Sequence, residues 1–125
     1  QGAVYEFAPG SSKGRNLGLR GLIRQLTGMA IDKHNDLLIV DDQAVGYYVL
    51  VYAPGKTSPS QKIRINSGQP PADVAINRAN TEIWVTSGFG GEVRGVSYPD
   101  GRLLDLIIRH RGWALGVAVS PASND

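Results

Sequence analysis

The stretch Val-Leu-Val-Tyr-Ala-Pro-Gly at residues 49–55 has a near copy 45 residues earlier, Val-Tyr-Glu-Phe-Ala-Pro-Gly at residues 4–10. A second match keeps this distance, because Met-Ala-Ile-Asp at residues 29–32 returns as Val-Ala-Ile-Asn at residues 74–77. A fixed period of about 20–50 residues predicts a repeat architecture.

The repeat extends over most of the chain. Asn-Asp-Leu-Leu-Ile-Val-Asp at residues 35–41 corresponds to Asn-Thr-Glu-Ile-Trp-Val-Thr at residues 80–86, again 45 residues later. A third, less regular copy carries Val-Ser-Tyr-Pro-Asp-Gly at residues 96–101 and Gly-Val-Ala-Val-Ser-Pro at residues 116–121. The chain therefore contains about three copies of one unit.

Each unit has short apolar runs rich in Val, Ile, Tyr and Trp, separated by Pro-Gly, Asp-Gly, Gly-Gly and Asn, which indicates strands and turns without helices. Four strands, named a to d, fit one period. We predict strand a at 29–32, 74–77 and 116–120, strand b at 37–41 and 82–86, strand c at 3–7, 47–52 and 92–97, and strand d at 20–26, 61–65 and 103–108.

Four antiparallel strands in about 45 residues are the size of one propeller blade. The prediction is an all-β fold, a β-propeller of four-stranded antiparallel blades with roughly three blades in residues 1–125. The blade parts are approximately 1–28, 29–73, 74–115 and 116–125. A two-sheet sandwich also has short strands at regular spacing, but it does not predict a fixed offset.

The chain resembles propellers of the NHL-repeat family along nearly its whole length. The family's blade motifs are matched by Leu-Thr-Gly-Met-Ala-Ile-Asp at 26–32, by residues 35–41 and by residues 49–55, and the Tyr-Ala-Pro-Gly element is similar to that of bacterial members. The third copy departs from the pattern, with Tyr-Pro-Asp-Gly at 98–101 and no strand b. The resemblance implies a fold and leaves the activity open.

Three blades do not close a propeller, which usually has four to eight. Two explanations remain open: two copies associate head to tail as a homodimer that closes a ring of about six blades, or the chain is part of a longer one. In the first case, another copy would complete the N-terminal half-blade by strand addition.

In propellers of this family, the resemblance implies that the loops joining strand b to c and strand d to a line the mouth of the central channel, where ligands bind. These loops contain our candidate ligand-binding residues: Asp41, Asp42, Gln43, Asn66, Gln69, Ser87, Phe89, Arg109, His110, Arg111 and Trp113.

Residues 109–113, Arg-His-Arg-Gly-Trp, are the most suggestive part of this set. Two guanidinium groups can grip a carboxylate or phosphate, and an indole offers a flat face to a sugar or ring, so a small anionic or sugar ligand is expected. The alternative is that the arginines are solvated and Trp113 fills a gap between blades. Asp41 and Asp42 could ligate Ca²⁺, although closing a turn is the simpler interpretation.

Two functions are compatible with these features. The first is a non-catalytic binding or assembly module without a cofactor. The second is a lactonase or lyase that uses a divalent cation such as Ca²⁺ to polarise a carbonyl, as related six-bladed propellers do. The two histidines, His34 and His110, fall at opposite mouths, which favours the binding module and assigns no catalytic residue.

Composition narrows the remaining classes. The net charge is only +2 and the basic residues are scattered, which argues against a nucleic-acid surface. The absence of cysteine excludes disulfides and thiolate chemistry. The sequence also has no run of about 18 apolar residues, which a membrane-spanning helix would need. The chain begins at Gln1, so we expect that an upstream segment was removed, and we favour an extracellular or periplasmic location.

Overall fold

The computed structural model of the chain describes residues 2–22, 25–43, 46–108 and 112–120. Within these ranges no helix is long and apolar enough to cross a membrane. The same ranges contain ten strands: β1 (Tyr5–Phe7), β2 (Gly14–Asn16), β3 (Gln25–Ile31), β4 (Leu37–Gln43), β5 (Gly46–Tyr52), β6 (Gln61–Ile65), β7 (Pro71–Ile76), β8 (Glu82–Ser87), β9 (Glu92–Ser97) and β10 (Leu103–Ile108).

The strands form two four-stranded antiparallel sheets and one hairpin. The first sheet contains β3 to β6 and the second sheet β7 to β10, each in chain order, while β1 pairs with β2. Consecutive strands pair throughout, so each sheet is assembled from local contacts. The expected all-β, antiparallel architecture is confirmed at this level.

The repeated Ala-Pro-Gly motif makes the turn after strand c. Gly10 and Gly55 have φ angles of 76° and 73°, which glycine adopts without steric cost. The same hydrogen bond closes both turns, from Ser11 N to Ala8 O at 3.0 Å and from Lys56 N to Ala53 O at 3.1 Å. The motif therefore recurs because it specifies one local backbone conformation.

The two sheets stack face to face over a shared apolar core. Its side chains alternate along each strand, as expected when one face of a strand is buried. The core consists of Leu38, Val40, Val49, Val51, Ile63 and Ile65 from the first sheet and Val74, Ile83, Val85 and Val96 from the second.

The other face of the first sheet carries a second apolar cluster. Ile39, Leu50 and Tyr52 pack there against Val4 and Leu22 from the N-terminal part of the chain. The Tyr52 hydroxyl donates a hydrogen bond to the Arg20 carbonyl, which ties this segment to the sheet. This face of the first sheet is therefore covered over β4 and β5, while Met29 and Ile31 of β3 remain exposed.

The strand pairing differs from the sequence offset by one residue. In the first sheet Ile31 pairs with Leu37, whereas in the second sheet Ile76 pairs with Ile83, which lies 46 residues after Leu37. The turn between the first two strands is thus one residue longer in the second sheet. The offset of 45 residues would make Ile83 the equivalent of Leu38, but the pairing makes Trp84 its equivalent. A shift of one residue exchanges the two faces of a strand, so each residue of β8 points to the face opposite to the one that the offset predicts.

This shift defines what we call the open face of the second sheet, the side turned away from the first sheet. Trp84 lies across Gly95, where a Cβ atom would come within 2.9 Å of the indole. Ile107 on the outer strand is 44% exposed on this face. The pairing registers place Ala75, Trp84, Thr86, Val93, Gly95, Asp105 and Ile107 on the open face, where Thr86 is nevertheless buried.

Two predicted strands are wrong. Residues 20–26 do not form strand d: the partner of β1 is β2 at Gly14–Asn16, and Gln25 already belongs to β3. Residues 17–22, the described part of the segment between β2 and β3, are irregular, because Gly18 and Gly21 have positive φ angles and Arg20 N bonds to Thr57 O. Residues 116–120, predicted as a third strand a, do not form a strand, because they do not pair with any strand of the described residues.

Candidate functional site

The loops that follow strands b and d in the second half of the chain meet at one end of the sheets. Ser67, in the loop after β6, donates to Glu92 Oε2 at 2.9 Å and lies 2.7 Å from the Ser87 hydroxyl. Glu92 in turn pairs with Arg94 at 2.8 Å, and both side chains are mostly buried. These contacts join the end of the first sheet to the second through a polar network.

An exposed aromatic pair lies at the same end. The rings of Phe89 and Trp113 meet edge to face with centroids 4.7 Å apart, although the two residues are 62% and 64% exposed. Ala114 N bonds to Gly88 O at 3.3 Å, which holds residues 112–120 against the loop between β8 and β9. Two large aromatic rings are thus supported by backbone contacts yet remain open to solvent.

Asp73 anchors the rest of that segment. Its Oδ2 atom accepts a hydrogen bond from Val117 N at 3.1 Å, and its Oδ1 atom accepts one from Val74 N at 2.9 Å. A Cβ atom on Gly28 would lie 2.4 Å from Asp73 Oδ1, so only glycine allows β3 to approach β7 this closely. Asp73 therefore positions three successive chain segments side by side.

The structure divides the predicted site residues into separate groups. Ser87, Phe89 and Trp113 come together as described, and Gln69 lies beside Gly90, its Cγ 3.1 Å from where a Cβ there would be. Asn66 accepts a hydrogen bond from Arg64 Nε at 3.2 Å at the end of β6.

Asp41, Asp42 and Gln43 form a different group. Asp41 is fully buried, and the Gln43 amide donates to Asp41 Oδ2 at 3.2 Å and to the Gly21 carbonyl at 3.1 Å. Because neighbouring strand residues point to opposite faces, Asp41 and Asp42 do not converge on one point. Arg109, His110 and Arg111 lie outside the described residues.

The opposite end of the sheets has a cleft of about 270 Å³ lined by the strand turns, including Asp32, His34 and Tyr98. The Asp32 carboxylate accepts hydrogen bonds from His34 N at 2.8 Å, Asp36 N at 2.9 Å and the Tyr98 hydroxyl at 2.9 Å. Burial alone would raise the pKa of Asp32, but these hydrogen bonds outweigh it and lower that pKa. The pKa of Tyr98 is raised by burial and by the same bond.

Sequence reasoning missed Ser67, Asp73 and Arg94, which organise the loop end. Arg94 and Glu92 are two residues apart on β9 and so share one face, a signal that was readable once β9 was assigned. Ser67 and Asp73 were not recognisable, because their partners are 25 and 44 residues away along the chain.

No three His, Asp or Glu side chains of residues 2–22, 25–43, 46–108 and 112–120 are grouped so that they could hold a metal ion. No protein-family model matches the chain, and no curated protein is significantly similar to it.

Proposed function

We propose that the chain is a non-catalytic binding module built on a β-propeller of the NHL-repeat type, with its ligand surface at the end that carries Phe89 and Trp113. The proposal has two parts, the manner of stacking and the nature of the loop end. Each is supported by different contacts.

The stacking of the two sheets supports the propeller. Equivalent positions follow from the pairing registers: Val40 corresponds to Thr86 and Ile63 to Ile107. Val40 and Ile63 lie in the shared core, whereas Ile107 lies on the open face. The two sheets therefore meet through faces that are not equivalent in the repeat. A contact of this kind can be repeated by rotation from one sheet to the next, whereas in a two-fold sandwich equivalent faces meet and the contact cannot be continued.

The aromatic pair carries the binding part of the proposal. Large aromatic side chains that remain about two-thirds exposed yet touch each other form an apolar surface, which is a feature of ligand contacts. The indole face suits the apolar side of a sugar ring, and the Ser87, Ser67 and Glu92 network lies nearby with hydroxyl and carboxylate groups. A small carbohydrate is thus the ligand class that the surface favours.

Tryptophan fluorescence tests this directly, because the chain has only two tryptophans, Trp84 and Trp113. In the Trp84→Phe variant the emission reports on Trp113 alone, and we expect mono- and oligosaccharides to shift or quench it in a saturable way. Phe89→Ala should weaken that response at least several-fold. An unchanged spectrum across a carbohydrate panel would remove the support for a sugar site.

Trp113→Phe is the matched control, since it leaves only Trp84 on the open face. Its emission should not respond to the carbohydrate. A response of equal size in this variant would place binding elsewhere and contradict the proposed surface.

A further inference from the structure

We infer that a second copy of this chain covers the open face, so that residues 112–120 of one copy and the β1–β2 hairpin of the other together form the next layer of the stack. The inference rests on the propeller-type stacking of the proposed function. It requires two uncovered surfaces on each copy that fit each other, and the chain has both.

The first uncovered surface lies beside the hairpin. Met29 and Ile31 of β3 are 54% and 61% exposed, whereas Val74, the equivalent of Met29 in the second sheet, is 2% exposed because the first sheet covers it. Within the described residues the hairpin supplies two strands on this side of the first sheet, and they do not cover β3. Met29 and Ile31 therefore form an exposed apolar edge beside the hairpin.

Residues 112–120 provide such a strand-like segment. They run beside β7 through the bond from Val117 N to Asp73 Oδ2, and Val117 and Val119 are partly buried. Ala118, between them, is exposed and faces away. In the repeat Ala118 corresponds to Ala30, which packs on the shared core, so Ala118 is placed to pack on Met29 and Ile31 of another copy.

The second pair of surfaces is aromatic. Tyr5 and Phe7 project from the hairpin on the side opposite buried Val4, and Phe7 lies across Gly14, where a Cβ atom would come within 2.7 Å of the ring. On the open face Trp84 lies across Gly95 in the same manner. By the repeat, Tyr5 and Phe7 occupy the positions of Leu50 and Tyr52, which belong to a covered face.

The contact is heterologous, because the open face of one copy meets the hairpin of the other. Two copies form it twice when the arrangement closes, with both open faces covered. The contact between the first and second sheets within one chain is the template for the proposed contact between copies, because there too a first sheet is covered by the next one.

The mass of the protein in solution is the first test. Light scattering after gel filtration should give twice the chain mass of 13.4 kDa at about 50 µM. Ile107→Glu and Phe7→Lys should each shift the protein towards the monomer by at least tenfold in dissociation constant. Leu106→Glu is the matched control, because Leu106 is 38% exposed and next to Ile107 on β10 but points to the opposite face, and it should stay dimeric.

Mixing the two variants tests the head-to-tail arrangement. A copy with Ile107→Glu keeps an intact hairpin and one with Phe7→Lys keeps an intact open face, so the mixture should recover an association that neither variant shows alone. A wild-type mass of one chain at 50 µM would overturn the inference, as would variants that remain dimeric. Neither result decides whether Trp113 emission responds to a carbohydrate, so the proposed sugar site is judged separately by that titration.

Cross-linking keeps the inference testable even if a variant folds poorly. The chain has no cysteine, so mixing Ile31→Cys with Ala118→Cys should give a disulfide between two different chains under mild oxidation. Cross-linking no faster than in a mixture of Ile31→Cys with Lys13→Cys, an exposed position on the β1–β2 turn, would contradict the proposed contact.

Discussion

The outer strands of the two sheets, β6 and β10, pair with their neighbours in the same way but differ in their side chains. β6 alternates buried Ile63 and Ile65 with exposed Lys62 and Arg64. β10 has Leu106 and Ile108 at the places of Lys62 and Arg64, and all six of its residues are exposed.

The equivalent strands β6 and β10 differ because, among the described residues, other parts of the protein cover one face of β6 but neither face of β10. The first sheet is covered by the second sheet on one face and, over β4 and β5, by the hairpin segment on the other, whereas in the described part of the chain no other sheet covers the open face of the second sheet. An exposed strand with apolar residues on both faces is a surface that folded proteins usually cover. The following predictions test how far the two sheets are equivalent.

The largest effect is expected at Ile63, compared with its equivalent Ile107. Ile63 is 3% exposed, so Ile63→Ala should lower the free energy of unfolding by about 2 to 5 kcal/mol through lost burial and a cavity. Ile107 is 44% exposed, and Ile107→Ala should cost about 1 kcal/mol or less in the monomer. Urea unfolding of dilute protein measures both.

This comparison also depends on protein concentration. If a second copy covers Ile107, the cost of Ile107→Ala should grow when the protein is concentrated, while the cost of Ile63→Ala should not. Equal costs at high dilution would contradict the structural difference between the two sheets.

A smaller effect is expected at Tyr98, which links the turn end of the second sheet to Asp32 of the first. Tyr98→Phe removes a hydrogen bond to a buried carboxylate and should cost about 1.5 to 3 kcal/mol near neutral pH. Tyr5→Phe is the control, because Tyr5 is exposed, and it should be nearly neutral.

The stability difference between wild type and Tyr98→Phe should depend on pH. The folded pKa of Asp32 is below its ordinary value of 3.8, so its contribution to stability is full above that pH and is lost as the pH falls through the folded pKa. The difference between wild type and Tyr98→Phe should therefore narrow below pH 3.8. The pKa of Asp36, raised by burial and by Asp32, acts in the opposite direction and is present in both proteins. A difference that stays constant on acidification would refute the role of this bond.

The smallest effect concerns the two turns between the first and second strands of each sheet. Asn35 and Asn80 have φ angles of 64° and 60°, so alanine at either position should cost about 1 to 2 kcal/mol and glycine close to nothing. Thermal unfolding of the four variants measures this. Similar losses of stability for Asn35→Ala and Asn80→Ala would mean that the extra residue of the second turn adds no strain at Asn80. A much larger loss for Asn80→Ala would mean that the longer turn does strain this position.

Local features were predictable from the sequence to different degrees. The strands at residues 37–41, 61–65 and 92–97 were predicted well, because alternating apolar residues between Gly, Pro and Asn are local signals. The predicted strand at 20–26 failed because the apolar residues Leu19 and Leu22 pack on the first sheet from an irregular segment. Apolar content alone does not distinguish the two cases.

The candidate site was predictable only in part. Phe89 and Trp113 were both placed at the loop end by the family resemblance, and the structure brings their rings into contact. Asp41 was expected at the same end but is buried under its neighbours, with its amide partner Gln43. Such burial depends on packing from the segment at Gly21, which no local pattern reveals.

The sequence by itself determined the repeat, its turns and its antiparallel strands, because these depend on residues close together in the chain. Only the tertiary structure decided which face each strand turns to the core. One additional residue in the turn before β8 moves Ile83 and Val85 into the shared core and Trp84 to the open face. A period of two residues makes a strand sensitive to such a shift, and the identity of the covered face depends on which sheet lies against it.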